Sequence, residues 1–206
     1  MNFDEMLKYV EKKLFEHGAI KPKNTLHQFR NRARHSYRVY KWVDILKHDF
    51  DDLDLDVCKT AAIFHDIGYS MSKLDHAKYS EEMFIEYAKM HNFDDEFIKK
   101  VSYIILNHSD KNLLKTSDNK ELIIVLEADL LDEEGAMGIM WDLLSAGKKG
   151  VEDYTEAMDE LYKHSVHILN QDYMVTPTAI KIWNEKKELV RLYMNAIKTD
   201  LFLDWG

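Results

Sequence analysis

An imidazole and a carboxylate stand side by side at His65-Asp66, where the apolar run Ala61-Ala62-Ile63-Phe64 meets Ile67-Gly68. Both side chains are strong ligands for a divalent cation, and burying them without a partner carries a heavy desolvation penalty. A bound metal ion removes it. The dipeptide alone would equally suit an exposed helix end with a solvated Asp, so the rest of the chain has to decide.

Three more ionisable residues lie on apolar stripes. His35 precedes Val39 by four residues and Trp42 by seven; His108 follows Ile104 by four and Val101 by seven. Asp129 follows Val125 by four and Leu122 by seven. Helical residues so spaced share a face. These three should therefore point inward, as His65-Asp66 should if its helix packs by Ala61 and Phe64. A lone inward His is ordinarily a satisfied core residue, but ionised Asp is almost never buried unpaired. Several such groups on separate helices are explained together by a single ion. Two imidazoles and two carboxylates suit Mn, Fe, Co, Ni, Zn or Mg, with no thiolate to demand zinc.

The elements that must position these groups are helices, because apolar residues recur at helical rather than alternating spacing and only two prolines and seven glycines interrupt them. An all-α bundle is expected. Phe3, Met6, Leu7, Val10 and Leu14 predict a first helix ending at His17-Gly18, with a connector over residues 19–26. A second carries His35, Val39, Trp42, Val43 and Leu46. After an acidic loop over 49–56, which lacks the glycine and terminal Glu of a calcium loop, a third runs from Val57 to His65. A fourth starts near Asp75, a residue able to cap it, and a fifth carries Phe97, Val101, Ile104 and His108. The sixth bears Leu122, Val125, Leu126 and Asp129 and meets Gly135. Residues 136–144 follow, then a helix over about 151–170, and Thr176-Pro177 opens the last one. No repeat or linker divides the chain. One domain over 1–206 is expected, with a core at about 26–144 and with helices of 1–17 and 151–206 packed on it.

The length of 206 residues suffices for a sizeable core. A net charge of −9 argues against non-specific nucleic-acid binding but leaves room for an anionic small substrate held by local cations. No apolar run approaches 18 residues, so no membrane span is expected, and the start Met1-Asn2-Phe3-Asp4-Glu5 lacks the pattern of a signal peptide. The single cysteine, Cys58, fits a reducing, cytoplasmic compartment. The last helix, with Trp183, Leu189, Val190, Tyr193 and Ile197, could face its own domain or a second copy in a homodimer.

The series His35, His65-Asp66, Asp129 resembles the H…HD…D signature of the HD-domain metal-dependent phosphohydrolases. The likeness spans roughly residues 26–144. It extends to Arg34-His35-Ser36-Tyr37-Arg38-Val39, His65-Asp66-Ile67-Gly68, His76, Asn107-His108, Glu127-Ala128-Asp129-Leu130-Leu131-Asp132 and Gly135-Ala136-Met137-Gly138-Ile139. Taken together these are similar to the small stand-alone bacterial members. The resemblance implies a helical bundle in which His35, His65, Asp66 and Asp129 hold a divalent metal, with Asp66 also orienting the attacking water. It implies that His76 and His108 contact a phosphate, act as acid catalysts or bind a second metal. His108-Ser109 stands where two-metal cyclic-dinucleotide phosphodiesterases carry adjacent histidines, which favours one metal. Arg34, Arg38 and Lys73 could pair with a phosphate or be solvated. Asp132, on the face of Asp129, is grouped with the substrate side, where it could orient a water or a ligand histidine, or it could cap the next turn.

The expected activity is hydrolysis of a phosphate ester or anhydride of a nucleotide or another small phosphorylated metabolite. Ile67-Gly68-Tyr69-Ser70 lacks the acidic pair typical of guanosine tetraphosphate hydrolases. The alternative is a non-enzymatic sensor that binds metal or nucleotide at the same residues.

Overall fold

The computed structural model describes residues 1–16 and 31–203, and it is helical throughout, with no strand among the described residues. It divides into two compact units, residues 1–132 and 133–206. The expected connector at 19–26 and the His17-Gly18 helix end lie outside the described residues.

The first unit contains α1 (Phe3–Glu16), α2 (Arg32–Leu46), α3 (Leu55–Phe64), α4 (His76–Met90), α5 (Asp95–Asn107), α6 (Leu113–Thr116) and most of α7 (Lys120–Glu133). Helix α3 is its centre. Val57, Cys58, Ala61, Ala62, Ile63 and Phe64 are all fully buried, and α3 packs against α1, α2, α4 and α5. A short helix with small residues on several faces admits neighbours on all of them, which is why its apolar content shows so little one-sidedness. Phe64 is the anchor: its ring lies 5.4 Å from Phe84 and 5.1 Å from Tyr87, within the range of favourable aromatic pairing.

Side-chain caps set several helix starts. Asp54 accepts from the Val57 amide at 3.2 Å and starts α3 two residues before the expected Val57. Asp94 accepts from Phe97 at 2.8 Å to start α5, and Asn31 accepts from Arg34 at the head of α2. Asp75 occupies the expected cap position of α4 without capping it; its own amide donates to Ser72 Oγ at 3.2 Å. That correction matters little, because the approach to α4 is fixed by Gly68 in the 3₁₀ turn Ile67–Ser70. A Cβ on Gly68 would fall 2.0 Å from the His76 carbonyl oxygen. Its amide donates to Ser80 Oγ at 2.8 Å. Only glycine lets the turn cross the first turn of α4 this closely.

In the second unit, Gly135 takes a φ of +75° ahead of α8 (Ala136–Lys149), which runs five residues beyond the expected 144. The expected continuous helix over 151–170 is instead α9 (Tyr154–Lys163) followed by a 3₁₀ turn, Ser165–Asn170. The break occurs where buried Asp142 accepts from the Ser165 amide at 2.8 Å, a tertiary bond that the local periodicity does not carry. Helix α10 (Pro177–Asp200) follows with Thr176 at its cap position and Pro177 in its first turn, as expected. Trp183 is buried in this unit and donates to the Gln171 carbonyl at 2.9 Å.

Candidate metal centre

Five helices and one turn bring the predicted site residues to one place inside the first unit. In α2, His35 lies on the same buried face as Val39, Val43 and Leu46. His65 caps the C-terminus of α3 and Asp66 opens the turn after it. His76 begins α4 and His108 ends α5. Asp129 belongs to a stretch of α7 buried continuously from Leu122 to Asp132.

All four histidines are oriented the same way. His65 Nδ1 lies 2.8 Å from the Ala62 carbonyl, His108 Nδ1 2.7 Å from that of Ile105, and His76 Nδ1 3.0 Å from that of Lys73. His35 Nδ1 lies 2.7 Å from the Asp132 carboxylate. Carbonyl and ionised carboxylate oxygens only accept, so each Nδ1 is the protonated nitrogen. Each Nε2 is thereby left to face the centre. This is how ligating histidines are held, with the far nitrogen fixed by a carboxylate or carbonyl.

The Nε2 atoms meet in two pairs. His35 and His65 approach to 3.2 Å, and His76 and His108 to 3.1 Å. Two bare Nε2 lone pairs at that distance repel unless a proton or a cation lies between them. Asp66 spans the pairs. Its Oδ2 is 3.5 Å from His35 Nε2 and 3.6 Å from His65 Nε2; its Oδ1 is 3.5 Å from His108 Nε2 and 3.8 Å from His76 Nε2. Asp129 Oδ1 completes the first end at 3.1 Å from His35 and 3.7 Å from His65. Two overlapping sets, His35–His65–Asp129 and His65–Asp66–His108, have ligand atoms close enough to share an ion. The donor chemistry fits a divalent first-row cation.

Cations surround the carboxylates. Arg32, almost fully buried, bonds Asp66 Oδ2 through Nη1, and its guanidinium carbon lies over Tyr69, 3.8 Å from the ring centroid. Tyr69 stacks in turn on His76 at 4.2 Å. Lys111 donates to Asp129 Oδ2 at 2.7 Å and to the His108 carbonyl at 3.0 Å. Arg38 grips Asp132 with both Nε and NH2, at 2.6 and 2.9 Å. Ser109 Oγ lies 3.3 Å from His76 Nε2 and 3.2 Å from His108 Nε2.

These neighbours set the protonation states. Burial opposes a charge on His35, yet its bonds to Asp129 and Asp132 raise its pKa to about 9. Burial drives His65 down to about 4 and also lowers His76, in spite of Asp66. Against the same burial, Arg32 holds the Asp66 carboxyl well below the usual carboxylate range, and Lys111 and His35 do so for Asp129. Asp132 is held low, against burial, by His35 and Arg38.

His35, His65, Asp66, Asp129 and His108 therefore converge as the spacing argued, and His76, which only the resemblance named, lies with them. Asp132 touches His35 and Arg38, not an open substrate surface. Arg34 is exposed and lines a shallow groove with Asp4, Leu7, Lys8, Glu11 and Tyr37, away from the ligands. Lys73 is exposed and offers only its carbonyl, to His76. Arg32, Tyr69, Ser109 and Lys111 were missed. Arg32 was within reach, since it lies one turn before His35 on the same face; Lys111 lies in a loop where no periodicity applies. Cys58 is buried elsewhere in the unit, and burial pushes its thiol pKa up.

Helices α2, α3, α5 and α7 around paired histidines and bridging carboxylates define a bundle of one class, and the family model for the HD domain matches residues 32–134. The chain belongs to the HD-domain family. Among solved structures it is similar to an HD-superfamily hydrolase from Bacillus thuringiensis, with 20% identity over 98% of this chain and 96% of that one and a TM-score of 0.70. It is similar to a Listeria innocua protein, with 23% identity over 98% of both chains and a TM-score of 0.67. YpgQ of Bacillus subtilis, crystallised with ADP, shares 22% identity over 96% of this chain and 94% of its own, with a TM-score of 0.65. At these identities the likeness establishes the fold. No protein of curated function matches the sequence.

Proposed function

We propose that the chain is a metal-dependent phosphohydrolase that cleaves a phosphate ester or anhydride of a nucleotide or similar small phosphorylated metabolite. The observation that carries this reading is Asp66, one buried carboxylate facing two pairs of histidine Nε2 atoms. His35, His65, Asp66 and Asp129 would hold a divalent cation, which supplies an acidified water and polarises a phosphoryl oxygen. Asp66 Oδ1, turned to the other pair, orients the water for in-line attack. His76 is the more accessible member of that pair, its side chain 13% exposed. Its exposed edge lets Nε2 take up a proton from solvent and pass it to the leaving oxygen. His108, fixed by the Ile105 carbonyl, holds a phosphoryl oxygen or the second proton position. Arg38 acts on Asp132 and through it keeps His35 in the ligating tautomer. ADP in the YpgQ crystal supports a nucleoside phosphate as the substrate class.

A second reading, two ions sharing Asp66, is favoured by the His65–Asp66–His108 set. A panel of nucleotides and simple phosphate monoesters, assayed with Mn²⁺, Co²⁺, Mg²⁺ and Zn²⁺, tests the function. Turnover with at least one pair, lost on chelation and in Asp66→Ala, is the expected result. No turnover by metal-loaded protein with any member of the panel would overturn it.

A further inference from the structure

Asp129 turns Oδ1 to the histidines and gives its outer oxygen, Oδ2, to Lys111, whereas Asp66 gives Arg32 the same Oδ2 that faces His35 and His65, and the two cations are held differently. Arg32 is sealed in: its side chain is 5% exposed and sandwiched between Asp66 and the face of Tyr69. Lys111 sits at the open edge, 25% exposed, with its ammonium shared between Asp129 Oδ2 and the His108 carbonyl. A lysine head is a compact charge on a flexible stem and can change partners without moving the backbone. His76, another accessible residue of the site, contacts His108, the residue whose carbonyl Lys111 holds.

We propose that Lys111 is an exchangeable counter-ion, which neutralises Asp129 when the centre holds no metal and turns to the phosphate of the substrate when Asp129 is engaged by one. The proposal rests on reading the centre as metal-binding, and deepens it by saying how metal and anion are coupled. While Lys111 stays on Asp129 Oδ2 it draws charge from the carboxylate whose Oδ1 faces the histidines and places a positive charge against the incoming cation, where partial burial lets salt screen poorly. An anion at the edge of the site draws the ammonium away and removes both obstacles. By reciprocity, metal must then strengthen anion binding by the same factor. Arg32 has no such freedom and serves as a fixed charge on Asp66.

The test is a calorimetric titration of full-length protein with Mn²⁺, with and without inorganic phosphate. In the wild type, phosphate should tighten Mn²⁺ binding about tenfold, an ordinary coupling between linked sites. Lys111→Met should bind Mn²⁺ alone about tenfold more tightly, the scale of effect seen for groups that touch metal ligands, and phosphate should then add less than about twofold. Lys111→Arg, which keeps the charge, should retain most of the phosphate effect. Circular dichroism confirms the fold of each variant. Equal or weaker Mn²⁺ binding by folded Lys111→Met, or an undiminished phosphate effect, would overturn the exchange and make Lys111 a support for Asp129. If Lys111→Met does not fold, loss of the phosphate effect in Lys111→Arg overturns it. These readouts stand apart from catalysis. Failure to turn over any phosphate ester leaves them intact, whereas a wild type that binds no Mn²⁺ removes the metal-centre reading itself.

Discussion

The two ends of the centre are built from the same imidazoles and differ in what stands behind them. At the His35–His65 end both rings are fully buried, two carboxylates face them, and His35 is backed by Asp132 and Arg38. At the His76–His108 end a single oxygen of Asp66 serves both rings, a serine hydroxyl lies beside them, and His76 reaches solvent. An end rich in carboxylate and closed to water is the one suited to hold a cation. An end with one shared carboxylate oxygen and a route to solvent is the one suited to move protons. One sequence motif, His65-Asp66, belongs to both.

The largest effects should come from residues of the closed end. Asp66→Ala should lower the turnover rate by about four powers of ten or more, since it removes a ligand and the group orienting water together; Asp129→Ala should strip the metal. Elemental analysis beside steady-state kinetics checks both. Next, His76→Ala and His108→Ala should each cost about 10²–10⁴ in rate, the range for a lost acid–base group, with metal content unchanged. Loss of one ion per chain in either variant would erase the contrast between the ends and establish the two-ion reading. Asp132→Asn should weaken metal binding by about 10–100-fold, the usual penalty for losing a group that orients a ligand. Arg38→Ala should show a smaller loss of the same kind.

The smallest effect is in stability against pH, measured on metal-free protein by thermal unfolding. His35 has a folded-state pKa of about 9, above its ordinary 6.5. A raised value means the folded state binds the proton more tightly, so the stabilisation is complete below 6.5 and is lost as pH rises through 9. His65, lowered to about 4, works in the opposite sense and loses its contribution as pH falls from 6.5 towards 4. Metal-free protein should therefore be most stable near neutrality. His35→Gln should flatten the alkaline side, a change of roughly 3 kcal/mol, and leave the acid side.

The inward ligands were legible because helical spacing is a local property: Asp129 shares a face with Val125 and Leu122 whatever packs against them. The orientation of His35 was not, since it depends on Asp132, 97 residues away. Arg34, Arg38 and Lys73 are cations near ligands in sequence, but one step along a helix turns a side chain by about 100°, which leaves Arg34 exposed beside buried His35. Arg32 obeys the spacing rule and was overlooked because a buried arginine is unusual. In the second unit the break between α9 and the following 3₁₀ turn is imposed by Asp142, and α6 is too short to show a period. The boundary between the units falls inside α7, after Asp132, where no linker composition could mark it.

The bond from Gly68 to Ser80 closes a segment of only 12 residues, and His76 lies inside it. The pairing of His35 with Asp132 closes one of 97. Short closures cost less chain entropy and form sooner. His65, Asp66 and His76, drawn from both ends, can thus come together from one continuous stretch of backbone early in folding. His35 and Asp129 join only when α2 and α7 dock. A nascent chain built this way would lack a complete ligand set until its fold is nearly finished, which would spare it from being trapped around a cation in the wrong topology.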